Sequence, residues 1–492
     1  MKFLGLFLIG ILSLSSILGE QEGCYVGAKG SLHFPTNFSF GVATSAYQIE
    51  GGWNADGKGV SIWDEFTHNK PHQITDGSNG DLADDSYHRF DDDLKLLKDL
   101  KVGHYRFSIS WSRIFPNGDV SFKNQAGVDY YNDVIDKLLA NGITPLVTIH
   151  HSNTPLEIQK RGGFTSSMII DYFVDFATEL FEMFGDRVKN WITFNEPWTI
   201  CNLGYGIAVI PPLFNDSGLG DYVCIHNVLM AHGATYRVYK EKFFQKQGGK
   251  VGIALDTNYF NSTNSSDTVT FERAMQFNIG YLAHPIFSKD GGYPPVMVND
   301  IARNSLEEGR FRSRLPTFDR EWRDIIKGSA DFLGLNYYRS NPLRKASGPV
   351  GTSPSFERDL NVESVLDLYT CNPEGLEGVL HWLRKEYNNP PMIITENGWR
   401  DDYGKIEDDD RIDFLKSHLQ AVLNAVNDGC NVYGYTHWSL IDNFEWVFGF
   451  TNKFGLYAVN RTSPTLERYP KKSAHFYKMV ISSRVSPNGI IV

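Results

Sequence analysis

Cysteine is scarce, basic clusters are missing, and only one long apolar run exists; each shortage closes off a class of function. Five cysteines occur among 492 residues (Cys24, Cys201, Cys224, Cys371 and Cys430), too few and too scattered for a disulfide framework. One pair is expected, Cys201 with Cys224, closing a short loop. No C-x-x-C and no H-E-x-x-H occurs, so no metal is expected, and the lack of a G-x-G-x-x-G or Walker-type loop removes the usual phosphate-cradling turn. No cofactor is expected. No basic block is longer than Lys471-Lys472, and 47 basic residues stand against 58 acidic ones for a net charge of −11. Nucleic acid is therefore not an expected partner. No Pro/Gly/Ser-rich or low-complexity linker divides the chain, which favours one large domain.

What is present begins with a secretory pattern. Lys2 precedes the apolar run Phe3 to Leu14, and the small residues Ser15, Ser16 and Gly19 follow before Glu20. The run is too short to span a bilayer, so residues 1–19 are expected to be a cleaved signal peptide and residues 20–492 the mature domain. No membrane association is expected after cleavage. Five N-glycosylation acceptors (Asn37, Asn215, Asn261, Asn264 and Asn460) agree with secretion to the extracellular space.

The hydrophobic period then alternates between two values. Apolar or alternating runs predict strands at Phe38–Thr44, Gly103–Ser110, Ile143–His150, Ile192–Asn195, Val251–Asn258, Asp331–Tyr338, Met392–Glu396 and Val432–Trp438. Between them, apolar residues recur at helical spacing, most clearly at Ile169, Phe173, Phe176, Leu180 and Met183. Strict strand-then-helix alternation implies a parallel sheet, and eight units close a (β/α)₈ TIM barrel. The long stretches Gly51–Asp81 and Ser340–Cys371 are expected to be βα loops on the catalytic face.

In such barrels the chemistry sits at the carboxyl ends of the strands. Polar residues collect there: Gln48 after the first strand, Arg106 within the second, His151 after the third, and Asn195 and Glu196 after the fourth. Asn336 and Tyr338 close the sixth strand, Glu396 the seventh and Trp438 the eighth. The two glutamates end apolar strands, Glu196 before Pro197 and Glu396 before Asn397-Gly398. A facing pair of carboxylates suits glycoside hydrolysis, in which one protonates the leaving oxygen and the other attacks the anomeric carbon or activates water. A separation of about 5 Å gives retention and roughly 6.5–9.5 Å gives inversion.

The stretches Phe40–Gly51 (FGVATSAYQIEG), Tyr105–Ile114 (YRFSISWSRI), Thr193–Pro197 (TFNEP), Ile394–Gly398 (ITENG) and Trp438–Trp446 (WSLIDNFEW) resemble glycoside hydrolase family 1, in a β-glucosidase or myrosinase-like, secreted form of animal and, more narrowly, insect type. The match runs from about Phe34 to Tyr477. The resemblance implies a retaining hydrolase acting on small β-glycosides, with Glu196 as acid/base and Glu396 as nucleophile. It implies that Arg106 and Tyr338 support the nucleophile, while Gln48, His151, Asn195, Glu445 and Trp446 bind sugar hydroxyls and Trp438 lies beneath the ring. Glu445 would accept from the 4- and 6-hydroxyls and repel a 6-phosphate. Two positions depart from the family. Ser152 stands where a tryptophan is usual, which removes an aromatic wall and is expected to open room for a different or bulkier substrate; Asn460 replaces a common aspartate. A β-glucosidase is the leading expectation, a thioglucosidase acting on glucosinolates the alternative, and a non-catalytic sugar-binding relative a reading of another class.

Overall fold

The computed structural model describes residues 24–262, 267–364 and 371–489. The expected signal peptide and Asn264 lie outside them. Eight strands form the barrel: β1 (Ser39–Ala43), β2 (His104–Ser108), β3 (Thr144–His150), β4 (Asn190–Asn195), β5 (Lys250–Ser262), β6 (Phe332–Lys345), β8 (Met392–Glu396) and β9 (Val432–Trp438). The short β7 (Val362–Ser364) adds antiparallel to β6, outside the ring. Each barrel strand pairs in parallel with its sequence neighbour, β1 pairs with β9, and β5 pairs with β6, so no barrel edge is left open.

Each strand is buried on both faces. Its inward side chains fill the barrel and its outward ones meet the helices, which is why the sequence shows apolar runs at most of these strands. Leu146, Ile192, Ala254, Phe332 and Ile393, from β3, β4, β5, β6 and β8, form one interior layer. Outside, helix Met168–Phe184 buries Ile169, Phe173, Phe176, Leu180 and Phe181. Phe173 stacks on Phe194 of β4 with centroids 4.1 Å apart. That contact presses the strand carrying Asn195 and Glu196 against its helix.

Three expectations need correction. Strand β6 does not stop at Tyr338 but runs to Lys345, and β5 runs to Ser262, because beyond the barrel they keep pairing with each other, after a register shift at Thr257/Tyr259. The segments expected as loops contain helix Ile62–Asn69 and helix Phe356–Leu360. Two disulfides occur: the expected Cys201–Cys224, and Cys24–Cys371, whose 347-residue separation leaves no local signal. Cys430 is free and buried. Among the described residues no helix is long and apolar enough to cross a membrane.

Candidate active site

The carboxyl ends of β2, β4, β5, β6 and β8 converge on one pocket. Glu396, 4% exposed, ends β8. Its Oε1 accepts from Arg106 Nη1 at 2.5 Å and its Oε2 from the Tyr338 hydroxyl at 2.8 Å. Arg106 is itself fixed on every nitrogen: Nε donates to Thr148 Oγ1, Nη1 also to the Thr395 carbonyl, and Nη2 to Asn195 Oδ1 at 2.6 Å. A buried carboxylate that accepts from both a permanent cation and a phenol is held in one orientation.

Glu196 is held differently. It follows β4 with φ +47°, a left-handed conformation uncommon for glutamate, and its backbone N–H donates to the Ala254 carbonyl of β5. Pro197 then starts the short helix Pro197–Cys201, where its missing N–H has no intrahelical role. The half-buried Glu196 side chain accepts from Asn336 Nδ2 at 2.8 Å. Burial, with Asp256 and Glu396 nearby, raises this carboxyl well above the usual range, against the smaller pull of Asn336 and Arg106. A carboxyl raised by burial at Glu196 and one clamped by a cation and a phenol at Glu396 form an unlike pair, as acid and nucleophile require of two carboxyls.

Asn336 joins the two halves. Its amide donates to both Glu196 and Asn195 Oδ1, while its Oδ1 accepts from Thr395. Because Asn195 Oδ1 already accepts from Arg106 and Asn336, its amide nitrogen must face His151 Nε2, 3.0 Å away. Burial and the Arg106 charge hold His151 well below the usual imidazole range, so it accepts there as a neutral ring. His151 lies between Trp438 (5.9 Å, 24°) and Trp446 (5.8 Å, 20°).

Behind these, Trp438 Nε1 donates to Glu445 Oε1 at 3.2 Å. Burial above all, and the Glu396 charge, push the Glu445 carboxyl up to about 8, although the indole N–H pulls the other way. Gln48 is fully buried; its amide donates to Asn443 Oδ1 and the Phe444 carbonyl, and its oxygen accepts from Ser45. All ten residues expected at the site thus lie on the barrel's carboxyl-end face. Direct contacts link Glu396 with Arg106 and Tyr338, Arg106 with Asn195, Asn195 with His151, and Trp438 with Glu445.

Ser152 has a hydrogen-bond partner from the segment after β1. It is buried, its Oγ accepts from Trp63 Nε1 at 3.2 Å, and Trp63 packs on Trp446 with centroids 4.7 Å apart. The Trp63 indole belongs to helix Ile62–Asn69, between β1 and β2.

Two residues were not expected in these roles. Asn336 was legible only as a strand end. Asp256, which accepts from Thr199 Oγ1 at 2.8 Å, was read as the interior of a strand. It carries half the signal of the two glutamates, an acid closing the apolar run Val251 to Leu255, without the turn residue that follows them. Among the expected glycosylation acceptors, Asn37 and Asn215 are exposed and Asn460 is half-buried, its side chain accepting from Thr462. Away from the pocket, Glu377, His381 and Asp428 cluster as a metal site would, but Lys29 already pairs with Glu377 at 2.6 Å.

The comparisons with known proteins agree with this geometry. The chain is 43% identical over 464 residues to Myrosinase 1 of Brevicoryne brassicae, spanning 92% of this chain and 98% of the relative. It is 39% identical over 510 residues to Beta-glucosidase 12 of Oryza sativa subsp. japonica, spanning 96% and 97%. The solved structure of an aphid myrosinase matches with a TM-score of 0.88 at 43% identity, covering 92% of this chain and 99% of that one. A family model described as Glycosyl hydrolase family 1 matches residues 31–485, and with a (β/α)₈ barrel and paired strand-end glutamates beneath that match, the chain belongs to glycosyl hydrolase family 1.

Proposed function

We propose that this retaining β-glycosidase acts on terminal β-D-glucosides with O-linked aglycones, using Glu396 as nucleophile and Glu196 as acid and then base. The observation that carries the assignment is the asymmetry of the two carboxyls: Arg106 and Tyr338 both donate to Glu396, whereas Glu196 has one amide donor and two acidic neighbours. In the first step a Glu396 oxygen bonds the anomeric carbon as the bond to the leaving oxygen breaks and Glu196 gives that oxygen its proton. Esterification removes the charge of Glu396, so Glu196 ionises more easily. In the second step Glu196 takes a proton from water as the water oxygen bonds the anomeric carbon and the ester bond breaks. Asn195, His151, Gln48, Glu445 and Trp446 supply the polar contacts for the sugar, and Trp438 its apolar floor.

The assignment is tested by Glu396→Gln, which is expected to abolish turnover of an aryl β-glucoside while preserving the fold; full turnover refutes it. A second reading, a thioglucosidase, is favoured by the 43% identity to a protein described as a myrosinase. Turnover of a matched O-glucoside and a glucosinolate by the same preparation separates the two. We further propose that residues 1–19 direct secretion and that residues 20–492 form the single mature domain. This is supported by the two disulfides, which persist best in an oxidising compartment.

A further inference from the structure

A third carboxylate shares the acid/base's surroundings. Asp256 lies on β5 directly opposite Asn336 of β6, which in turn lies opposite Glu396 of β8, so the three occupy one rung across adjacent strands. The middle residue donates to Glu196. The Asp256 carboxylate is tied to the turn carrying Glu196: its Oδ2 accepts from Thr199, three residues beyond Glu196, and its Oδ1 is buried without a partner. The strand is tied too, since the Glu196 N–H donates to Ala254, two residues before Asp256.

We infer that Asp256 is a positioning residue for the acid/base: docked on Thr199, it fixes the turn that presents Glu196, and its charge keeps the leaving-group proton on Glu196. The inference rests on reading Glu196 as the acid. Two acids sharing a water-poor site cannot both ionise cheaply, so one proton stays with the pair. The Asp256 carboxyl is itself raised to about 6, chiefly by burial, with Glu396 adding to it and the Thr199 hydroxyl opposing it. Around Glu196, the Glu396 charge on β8 acts in the same direction as Asp256, while Arg106 on β2 and the Asn336 amide on β6 act against it; the Tyr338 phenol on β6 also lies in its field. A residue that merely filled space at this position would leave the proton's hold on Glu196 unaltered.

The test is the pH profile of kcat/KM, whose alkaline limb reports the acid in the free enzyme. Asp256→Asn keeps the shape and can still accept from Thr199. On an alkyl β-glucoside it is expected to lower the alkaline limb by about one pH unit, so that the loss grows to about tenfold above the wild-type limb. On a dinitrophenyl β-glucoside, whose leaving group needs no proton, the loss is expected to stay within about twofold at every pH. Thr199→Val, which breaks the docking but keeps the charge, is expected to reduce kcat at all pH values without moving the limb. An Asp256→Asn limb within about 0.2 pH units of wild type, or a loss uniform across pH and both leaving groups, overturns the inference. Failure of the underlying reading looks different: Glu196→Gln would then retain full turnover of the alkyl glucoside.

Discussion

Glu445 offers a direct thermodynamic check on the pocket. Its carboxyl rises from an ordinary 4.5 to about 8 in the fold. Between those values the folded protein holds a proton that the unfolded chain releases, so folding stability falls as pH rises through this window and the loss is complete above about pH 8. At about 1.4 kcal/mol per pH unit the full effect is about 5 kcal/mol. Unfolding entropy near 2.1 cal/mol/K per residue, over a chain of this length, converts that to about 5 °C in Tm, and water entering the pocket would reduce it to about 2–3 °C. Glu445→Gln keeps an acceptor for Trp438 but cannot ionise. Calorimetry at one scan rate, for both proteins at pH 5 and pH 9, is expected to show the variant gaining about 2–5 °C relative to wild type between the two. Asp84 and Asp221, both raised to about 7 by burial, also weaken the fold as pH rises, but they cancel in the comparison. A Tm difference that is the same at both pH values would refute the account of Glu445.

Other perturbations test the remaining parts. Glu196→Gln is expected to lower kcat/KM for alkyl β-glucosides by about 10²–10⁴ while leaving an activated aryl substrate far less affected, read as a leaving-group series. Tyr338→Phe removes the phenol that donates to Glu396 and is expected to cost about 1.5–3 kcal/mol of transition-state stabilisation, roughly 10- to 150-fold in kcat/KM on an aryl glucoside. Replacing Cys201 and Cys224 with serine is expected to cost about 3 kcal/mol by freeing their 23-residue loop, measured as a lowered Tm under non-reducing conditions.

The barrel was legible because most of its strands are apolar runs buried on both faces, which show in the sequence without any knowledge of pairing. Their outer limits were not legible at β5 and β6. There Tyr259–Ser262 pair with Ser340–Leu343 beyond the rim, and that contact is between residues some eighty positions apart. Glu196 and Glu396 stood out because each carboxylate ends a strand at a turn signal. Asp256 ends an apolar run too, but no proline or glycine follows it, and the β-branched Thr257 prolongs the strand pattern. The surroundings of Ser152 were legible only in part. The missing indole was visible, whereas Trp63, on a helix some ninety residues earlier, was identifiable as a neighbour of the serine only once the chain was folded.

The pairing of β1 with β9 has a consequence for synthesis. Ser39–Ala43 leaves the ribosome first and finds its last partner only when Val432–Trp438 emerges. At about 5–20 residues per second the interval is roughly 20–80 s. During that time the outer backbone of β1 is an unpaired strand edge able to recruit other chains. The enzyme is therefore most vulnerable to aggregation while it is being made, and faster translation or a chaperone covering Ser39–Ala43 should raise its yield without altering a single contact of the finished barrel.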